Sequence, residues 1–217
     1  MECCDHEHEH EHEEYDYLEC AKVGQKIRNF SMEAYDPTEG GFTVVDSEKI
    51  QKKKKWLVLV FYPADFTFVC PTELADLAAQ HAKLKKLGAE VVSVSTDTKY
   101  AHLAWQTSER LLKDVKFLMA ADPNGGVSRF FDVWDAESGL ALRGTFIINP
   151  QGVLVSSEVN FYNVGRNADE LVRKMEANVY LIKNPNEACP AKWTPGAKTL
   201  TPSEAMVGKV YEALNAE

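Results

Sequence analysis

The sequence predicts an α/β fold, a central mixed sheet flanked by helices and followed by a C-terminal arm. Three observations carry this expectation. The apolar run Trp56 to Tyr62 is followed by a helical pattern and then by a second apolar run, Ala89 to Ser95, the strand-helix-strand order of a parallel pair. Further on, strand patterns at Leu142 to Ile148 and Val153 to Val159 flank Asn149-Pro150-Gln151-Gly152, a turn sequence suited to an antiparallel hairpin. Helical patterns fill the intervals, so helices should cover both faces of the sheet.

The elements follow in order. Pro71 to Leu87 places Leu74, Leu77, Ala78, Leu84 and Leu87 on one helical face, with Gly88 as the stop. A helix is expected over Tyr100 to Leu112, a strand over Phe117 to Ala120, and a closing helix over Ala168 to Ile182. This order fits a thioredoxin-like layout. Lys52 to Lys55 stand before the first buried strand and read as a solvated edge that discourages strand pairing with another chain. After Lys183 the chain becomes irregular and rich in proline. A short helix is expected to start there, with Thr201 as N-cap, Pro202 in its first turn and Glu204 completing a capping box. Three segments result: a His/Glu-rich tail over 1–17, expected to be disordered for want of apolar side chains, a globular body over 18–183, and an arm over 184–217.

Composition excludes several classes of function. The chain has 217 residues, 45% of them hydrophobic, enough for one sizeable core. No window approaches the ~18 apolar residues of a membrane span. Eight of the 33 carboxylates lie in residues 1–17, which contain no base, so the formal charge of −9 belongs almost wholly to that tail. A nearly neutral body argues against nucleic acid as a partner. The first 21 residues hold neither Lys nor Arg and no apolar stretch, unlike a secretory or transit leader. The expectation is a cytoplasmic protein whose five cysteines stay reduced and serve redox or metal chemistry.

The chemistry concentrates in FYPADFTFVCPTE, Phe61 to Glu73, where a buried strand passes through a short loop into a helix. Cys70 falls at that helix's N-terminus, where unpaired N–H groups and the helix dipole favour an anion. The dipole supplies ~0.3–1 kcal/mol, up to ~2 when partly buried. Lowering a thiol from ~8.5 to ~6 takes about 3.4 kcal/mol. A positive side chain must therefore help, and Arg143 is the candidate, since it starts a strand able to lie beside the cysteine-bearing one. The alternative for Cys70 is a small buried hydrophobe. Glu73 stands where a C-x-x-C exchanger would carry its second thiol, so any partner is distant. Cys189, in EACPAKW, is that candidate, against the alternative of an inert surface thiol. His81 lies about 16 Å along the same helix, at 1.5 Å per residue, too far to serve Cys70 as a base. His102 could serve as one only if the fold brought it close.

Pro63, Thr67 and Cys70 in P-x-x-x-T-x-x-C spacing, with Arg143 and the later Cys-Pro of EACPAKW, resemble the typical 2-Cys peroxiredoxins. The arm EACPAKWTPGAKTLTPS is most similar to that of the AhpC group, the peroxidase component of bacterial alkyl hydroperoxide reductase, and the likeness runs from about Lys22 to Tyr211. The resemblance implies a peroxidase without a cofactor or metal. In it Cys70 thiolate attacks a hydroperoxide to give a sulfenic acid. Cys189 from the other protomer of a dimer then forms a disulfide that thioredoxin or an AhpF-like disulfide reductase reopens. It further implies that Thr67 hydrogen-bonds the sulfur and the incoming oxygen. Arg143 would offset the charge developing on the breaking O–O bond, and Pro63 would shield the sulfenic acid. Glu73 would fix the Arg143 guanidinium bidentately, or else be only a favourable first-turn acid. Homodimers assembling into a decamer are implied as well. Between Trp105 and Asp122 there is no glycine, and the last helix offers Tyr211-Glu212, so the Gly-Gly-Leu-Gly and Tyr-Phe features of overoxidation-prone members are missing and resistance to overoxidation is expected.

The competing class is a binding protein, with the same scaffold used as a metal-binding or holdase assembly. His6, His8, His10 and His12 alternate with glutamates behind Cys3 and Cys4. Imidazole and thiolate suit Zn, Ni or Cu, but the spacing defines no structural site. A solvated acidic tail or an engineered affinity tag accounts for the pattern more simply. Cys20 reads as a surface or partly packed thiol, and Trp105 as a packing aromatic.

Overall fold

A computed structural model describes residues 20–215. The tail expected to be disordered lies outside the described residues. β1 (Ser31–Asp36) and β2 (Gly41–Asp46) form a hairpin that leads through α1 (Ser47–Lys52) into β3 (Trp56–Phe61). α2 (Cys70–Lys86), β4 (Ala89–Ser95), α3 (Lys99–Ser108) and β5 (Leu118–Ala121) follow. Then come α4 (Gly126–Phe130), the short pair β6 (Trp134–Asp135) and β7 (Leu140–Ala141), the hairpin β8 (Arg143–Ile148) and β9 (Leu154–Asn160), α5 (Ala168–Lys183) and α6 (Val210–Asn215).

The main sheet has seven strands in the order β2-β1-β5-β4-β3-β8-β9, with β3, β4 and β5 parallel and the other pairings antiparallel. The expected mixed sheet and thioredoxin-like layout are present. All six residues of β3 are buried because the strand is central and covered on both faces. The strand period of two sends Trp56, Val58 and Val60 to one face, with Leu74, Leu77 and Leu84 of α2 and Leu171, Val172 and Met175 of α5. Leu57, Leu59 and Phe61 go to the other face, against Val127 and Phe130 of α4.

Several expectations are corrected. β3 has β4 on one side and β8 on the other, so Lys52 to Lys55 guard no edge; Lys55 pairs with Glu90 of β4 at 2.6 Å. The helix expected over Tyr100 to Leu112 ends at Ser108, because Glu109 turns extended (ψ 116°), and Arg110–Leu112 form a separate 3-10 turn. No helix is capped at Thr201. A single 3-10 turn, Glu204–Met206, buries no side chain that could extend it, Gly208 at φ +76° breaks the path, and α6 starts only at Val210. The arm, read from sequence as irregular and proline-rich, is folded against α5: Trp193 is buried with its ring 5.0 Å from that of Tyr180.

Candidate active site

β3 ends at Phe61, and the chain crosses from Tyr62 through Val69 before α2 begins at Cys70. Tyr62, Pro63 and Asp65 are buried, while Phe66 and Phe68 face outward. Val69 precedes the helix without a side-chain cap; its carbonyl accepts from Thr72 N (3.0 Å) and Glu73 N (3.2 Å) to close the first turn. Cys70 is 1% exposed, with Pro71 behind it at a position where a missing N–H costs no helix bond.

Arg143 opens β8, which pairs with β3, and this places its side chain over the mouth of α2. Its Nη1 donates to Cys70 Sγ at 3.4 Å and to Glu73 Oε2 at 2.5 Å, and its Nε donates to Tyr162 O at 2.7 Å. The expected bidentate pairing of Glu73 with Arg143 is therefore corrected. Arg143 gives Glu73 one bond, since its Nε is engaged by Tyr162, and the fork belongs to a second arginine. Arg166 donates through Nε to Glu73 Oε1 (2.8 Å), through Nη2 to Oε2 (3.2 Å) and through its backbone N to Oε1 (2.9 Å), and braces itself on Gly144 O (2.8 Å). Burial alone would push the Glu73 carboxyl up. The Arg166 bonds and charge, with Arg143 behind them, outweigh it and hold Glu73 below the usual carboxylate range.

Arg166 carries no signal in the sequence pattern. It lies in the irregular stretch Asn163 to Asn167, and only the return of the chain from β9 past the first turn of α2 gives it a partner. A Cβ at Gly165 would stand 3.4 Å from Val69 and 3.6 Å from Glu73, which shows how closely that return passes.

The Thr67 hydroxyl donates to Ala64 O at 2.8 Å and so reaches backbone rather than sulfur, leaving its oxygen lone pairs able to accept. His102 is fully buried but serves another group. Its Nδ1 meets Asp65 Oδ2 at 2.8 Å, and its Nε2 donates to Ala120 O at 3.1 Å. Asp65 also accepts from the Tyr62 hydroxyl (2.7 Å), and its backbone N donates to Asp97 (2.8 Å). Burial holds the Asp65 carboxyl above its ordinary range, against the opposing pull of His102. This cluster pins the loop on the side where Phe66 adopts φ +56°, a left-handed conformation that costs a bulky residue ~1–3 kcal/mol. His81 packs on Phe117, 5.6 Å between ring centres. Cys189 lies in the folded arm, partly buried, and neither it nor Cys70 is in a disulfide. Cys20 Sγ lies 3.8 Å from Arg129 O, away from both. Among the described residues no group of three or more His, Cys, Asp or Glu is arranged to hold a metal.

A buried thiol at a helix N-terminus, faced by a guanidinium that a carboxylate and a carbonyl hold in place, is suited to stabilising negative charge at sulfur and at an oxygen beside it. Residues 23–157 match the AhpC/TSA family, and residues 183–213 match the C-terminal domain of 1-Cys peroxiredoxin, a segment in which this chain carries Cys189. The chain is 46% identical over 188 residues to an alkyl hydroperoxide reductase C of Amphibacillus xylanus, covering 87% of this chain and 98% of that one. Identity to the Staphylococcus aureus (strain Mu50) alkyl hydroperoxide reductase C is 47% with the same coverage. Among solved structures, Enterococcus faecalis AhpC superposes with a TM-score of 0.74 at 45% identity, over 78% of this chain and 99% of that one. The reduced 2-Cys peroxiredoxin of Plasmodium vivax gives 0.79 at 30% identity, over 84% and 94%. With the family's match spanning most of the body and near-complete relatives at almost half identity, the chain belongs to the AhpC/TSA family of peroxiredoxins.

Proposed function

We propose that the chain is a thiol peroxidase that reduces hydrogen peroxide and organic hydroperoxides, with Cys70 as the attacking thiol and Cys189 as the resolving one. The observation that carries this reading is Arg143 Nη1 standing 3.4 Å from a buried Cys70 Sγ while Glu73 and Tyr162 O fix the guanidinium. The thiolate attacks the terminal peroxide oxygen; an S–O bond forms, the O–O bond breaks, and the departing alkoxide or hydroxide takes a proton to become alcohol or water. Arg143 is positioned to neutralise charge spreading over the breaking bond. Thr67, through its lone pairs, can accept from the peroxide hydroxyl, and buried Pro63 closes the pocket against water.

Resolution then requires Cys70 to leave its pocket. Melting the first turn of α2 gives up the two backbone bonds and the Thr72 hydroxyl bond to Val69 O and the contact with Arg143, a local opening of the kind helix ends allow. In a dimer, Cys189 of one protomer attacks the sulfenic sulfur of the other, and a dithiol reductase, thioredoxin or an AhpF-like enzyme, reopens the disulfide. A homodimer is supported by the edge strand β9, which leaves Val159 exposed and is followed by exposed Phe161 and Val164, and assembly of such dimers into a decamer is part of the proposal. No described helix is long and apolar enough to cross a membrane, and a cytoplasmic location is part of the proposal. α3 and the 3-10 turn after it carry no glycine-rich insertion, which supports resistance to overoxidation.

Non-reducing electrophoresis with intact mass, after one equivalent of hydrogen peroxide, tests the cycle on wild type, Cys70→Ser and Cys189→Ser. A covalent dimer in wild type alone, with Cys189→Ser gaining one oxygen, is expected. A dimer that persists without Cys70 would assign the bond to Cys3, Cys4 or Cys20 and remove the proposal.

A further inference from the structure

The arm is fastened by hydrogen bonds on both sides of Cys189. α5 and the returning chain meet where Trp193 packs on Tyr180 with the rings tilted at 44°, its indole N–H donating to Ala197 O (3.1 Å) and its carbonyl accepting from Arg173 Nη1 (3.3 Å). Ala188 and Leu200 exchange both backbone bonds, at 2.8 and 2.9 Å. Beside this bridge Glu187 Oε2 accepts from the Tyr180 hydroxyl at 2.7 Å and, in a shorter bond, from the Thr199 hydroxyl. Cys189 follows the bridge directly, and on its far side Pro190 O accepts from Trp193 N at 3.1 Å. The thiol is thus bracketed by fastened chain, between a carboxylate on its own segment and a guanidinium on α5. Glu170 holds that guanidinium with two bonds, at 2.6 and 2.8 Å.

Two sulfurs can join only when their Cα atoms approach within ~7 Å. Cys70 is buried in its own pocket, and Cys189 is itself partly buried in chain that is hydrogen-bonded on both sides of it, so the freedom of each segment bears on the approach. We propose that Glu187, clamped between Tyr180 and Thr199, is the gate of the resolving half-reaction: the clamp holds Cys189 on α5, and its release sets how fast the Cys70 sulfenic acid is captured. This rests on the two-cysteine reading above. In the gated step the Cys189 thiolate attacks the sulfenic sulfur, an S–S bond forms and the S–O bond breaks. The departing hydroxide leaves as water, with the proton the thiol gave up. Burial and the Glu187 carboxylate hold the Cys189 thiol above its ordinary range, opposed by Arg173, which agrees with a thiol kept idle while the arm is closed. Tyr180, Glu187 and Thr199 are therefore positioning residues, since none of them touches Cys70.

The test uses the full chain with Tyr180→Phe and Thr199→Val, which remove one clamp hydroxyl each with little change of shape, and Thr199→Ser, which keeps it. In a Cys70→Ser background, where no peroxide chemistry is needed, iodoacetamide labelling of Cys189 is followed by peptide mass. The two clamp-breaking variants are expected to label faster, on the order of tenfold for a bond to a charged acceptor, and Thr199→Ser at the wild-type rate. With Cys70 present, stopped-flow Trp fluorescence after one equivalent of peroxide should show the disulfide-forming phase accelerated by a similar factor. Labelling within twofold of wild type in both variants overturns the gate, as does faster labelling in Thr199→Ser, which would point to packing. Faster labelling with slower disulfide closure overturns it too, since the clamp would then orient the thiol. If labelling accelerates but peroxide yields no Cys70–Cys189 disulfide even in wild type, the two-cysteine reading has failed and takes the gate with it.

Discussion

Arg143 is held by three acceptors of different kinds, a thiol, a carboxylate and a carbonyl, which its Nη1 and Nε reach from one planar group. A lysine keeps the charge but cannot span them, because its ammonium is a single point on a flexible stem. Arg143→Met should lower the rate constant for Cys70 oxidation by about 10²–10³, the usual loss when an oriented donor to developing charge is removed. Arg143→Lys should recover only part of it, and competition with a second peroxidase of known rate measures both. Glu73 makes a separate, pH-dependent prediction. Its carboxyl is held below the ordinary range near ~4.3, so the native state binds the proton less readily than the unfolded chain does. The stability it contributes is present above that ordinary value and is lost as pH falls through the lower native one. Urea unfolding from pH 7 to pH 3 should show Glu73→Gln less stable at neutral pH and flatter on the acid side, because Gln has no proton to take up. Parallel curves would remove the ion-pair account.

At the scale of elements, the site depends on how close β8 lies to its neighbours. A Cβ on Gly144 would stand 2.7 Å from the Phe146 ring and 2.8 Å from Val133, both buried. Gly144 O also braces Arg166, and Gly144 directly follows Arg143. Gly144→Ala should destabilise the fold by ~1–3 kcal/mol through overpacking and slow Cys70 oxidation as well, read by the urea midpoint and by the same competition assay. A loss of stability with an unchanged rate would show that the arginines hold their places without the strand. β8 itself was legible, since LRGTFIINP is an apolar run ending in a turn. The hairpin β1 and β2 was not: β2 is a half-exposed edge strand with Phe42 and Val44 outward, so its apolar side chains do not follow the in-out alternation that marks a strand.

For the whole molecule, the proposed dimer is tested at β9. Among the described residues its outer edge is met only at Val153 and Leu154, by the chain from Gly24 to Ile27, and Val159, Phe161 and Val164 stay exposed. Pairing with a second copy would satisfy the rest of that edge. Light scattering of the reduced protein should return a dimer or a larger multiple of it, and the mass should change on oxidation if unfolding of the Cys70 turn is felt between dimers. A monomer in both states would exclude resolution between protomers.

The sequence by itself determined the α/β class, the central strand β3, the helix starting at Cys70 and the strand led by Arg143, because each is written in neighbouring residues: apolar period, proline in a first helical turn, a turn between two apolar runs. Tertiary structure decided what faces what. Arg166 had no local signal and became the fork on Glu73 only because the loop after β9 returns past α2. His102 had no place until β3, β4 and β5 aligned and set it between Asp65 and Ala120 O. The arm reads as irregular because its prolines and polar residues show no period, yet the packing of Trp193 on Tyr180 fixes it to α5. Periodicity reports which side of an element is buried, while ion pairs and clamps depend on crossovers between elements distant in sequence, and those are fixed only when the sheet closes its order.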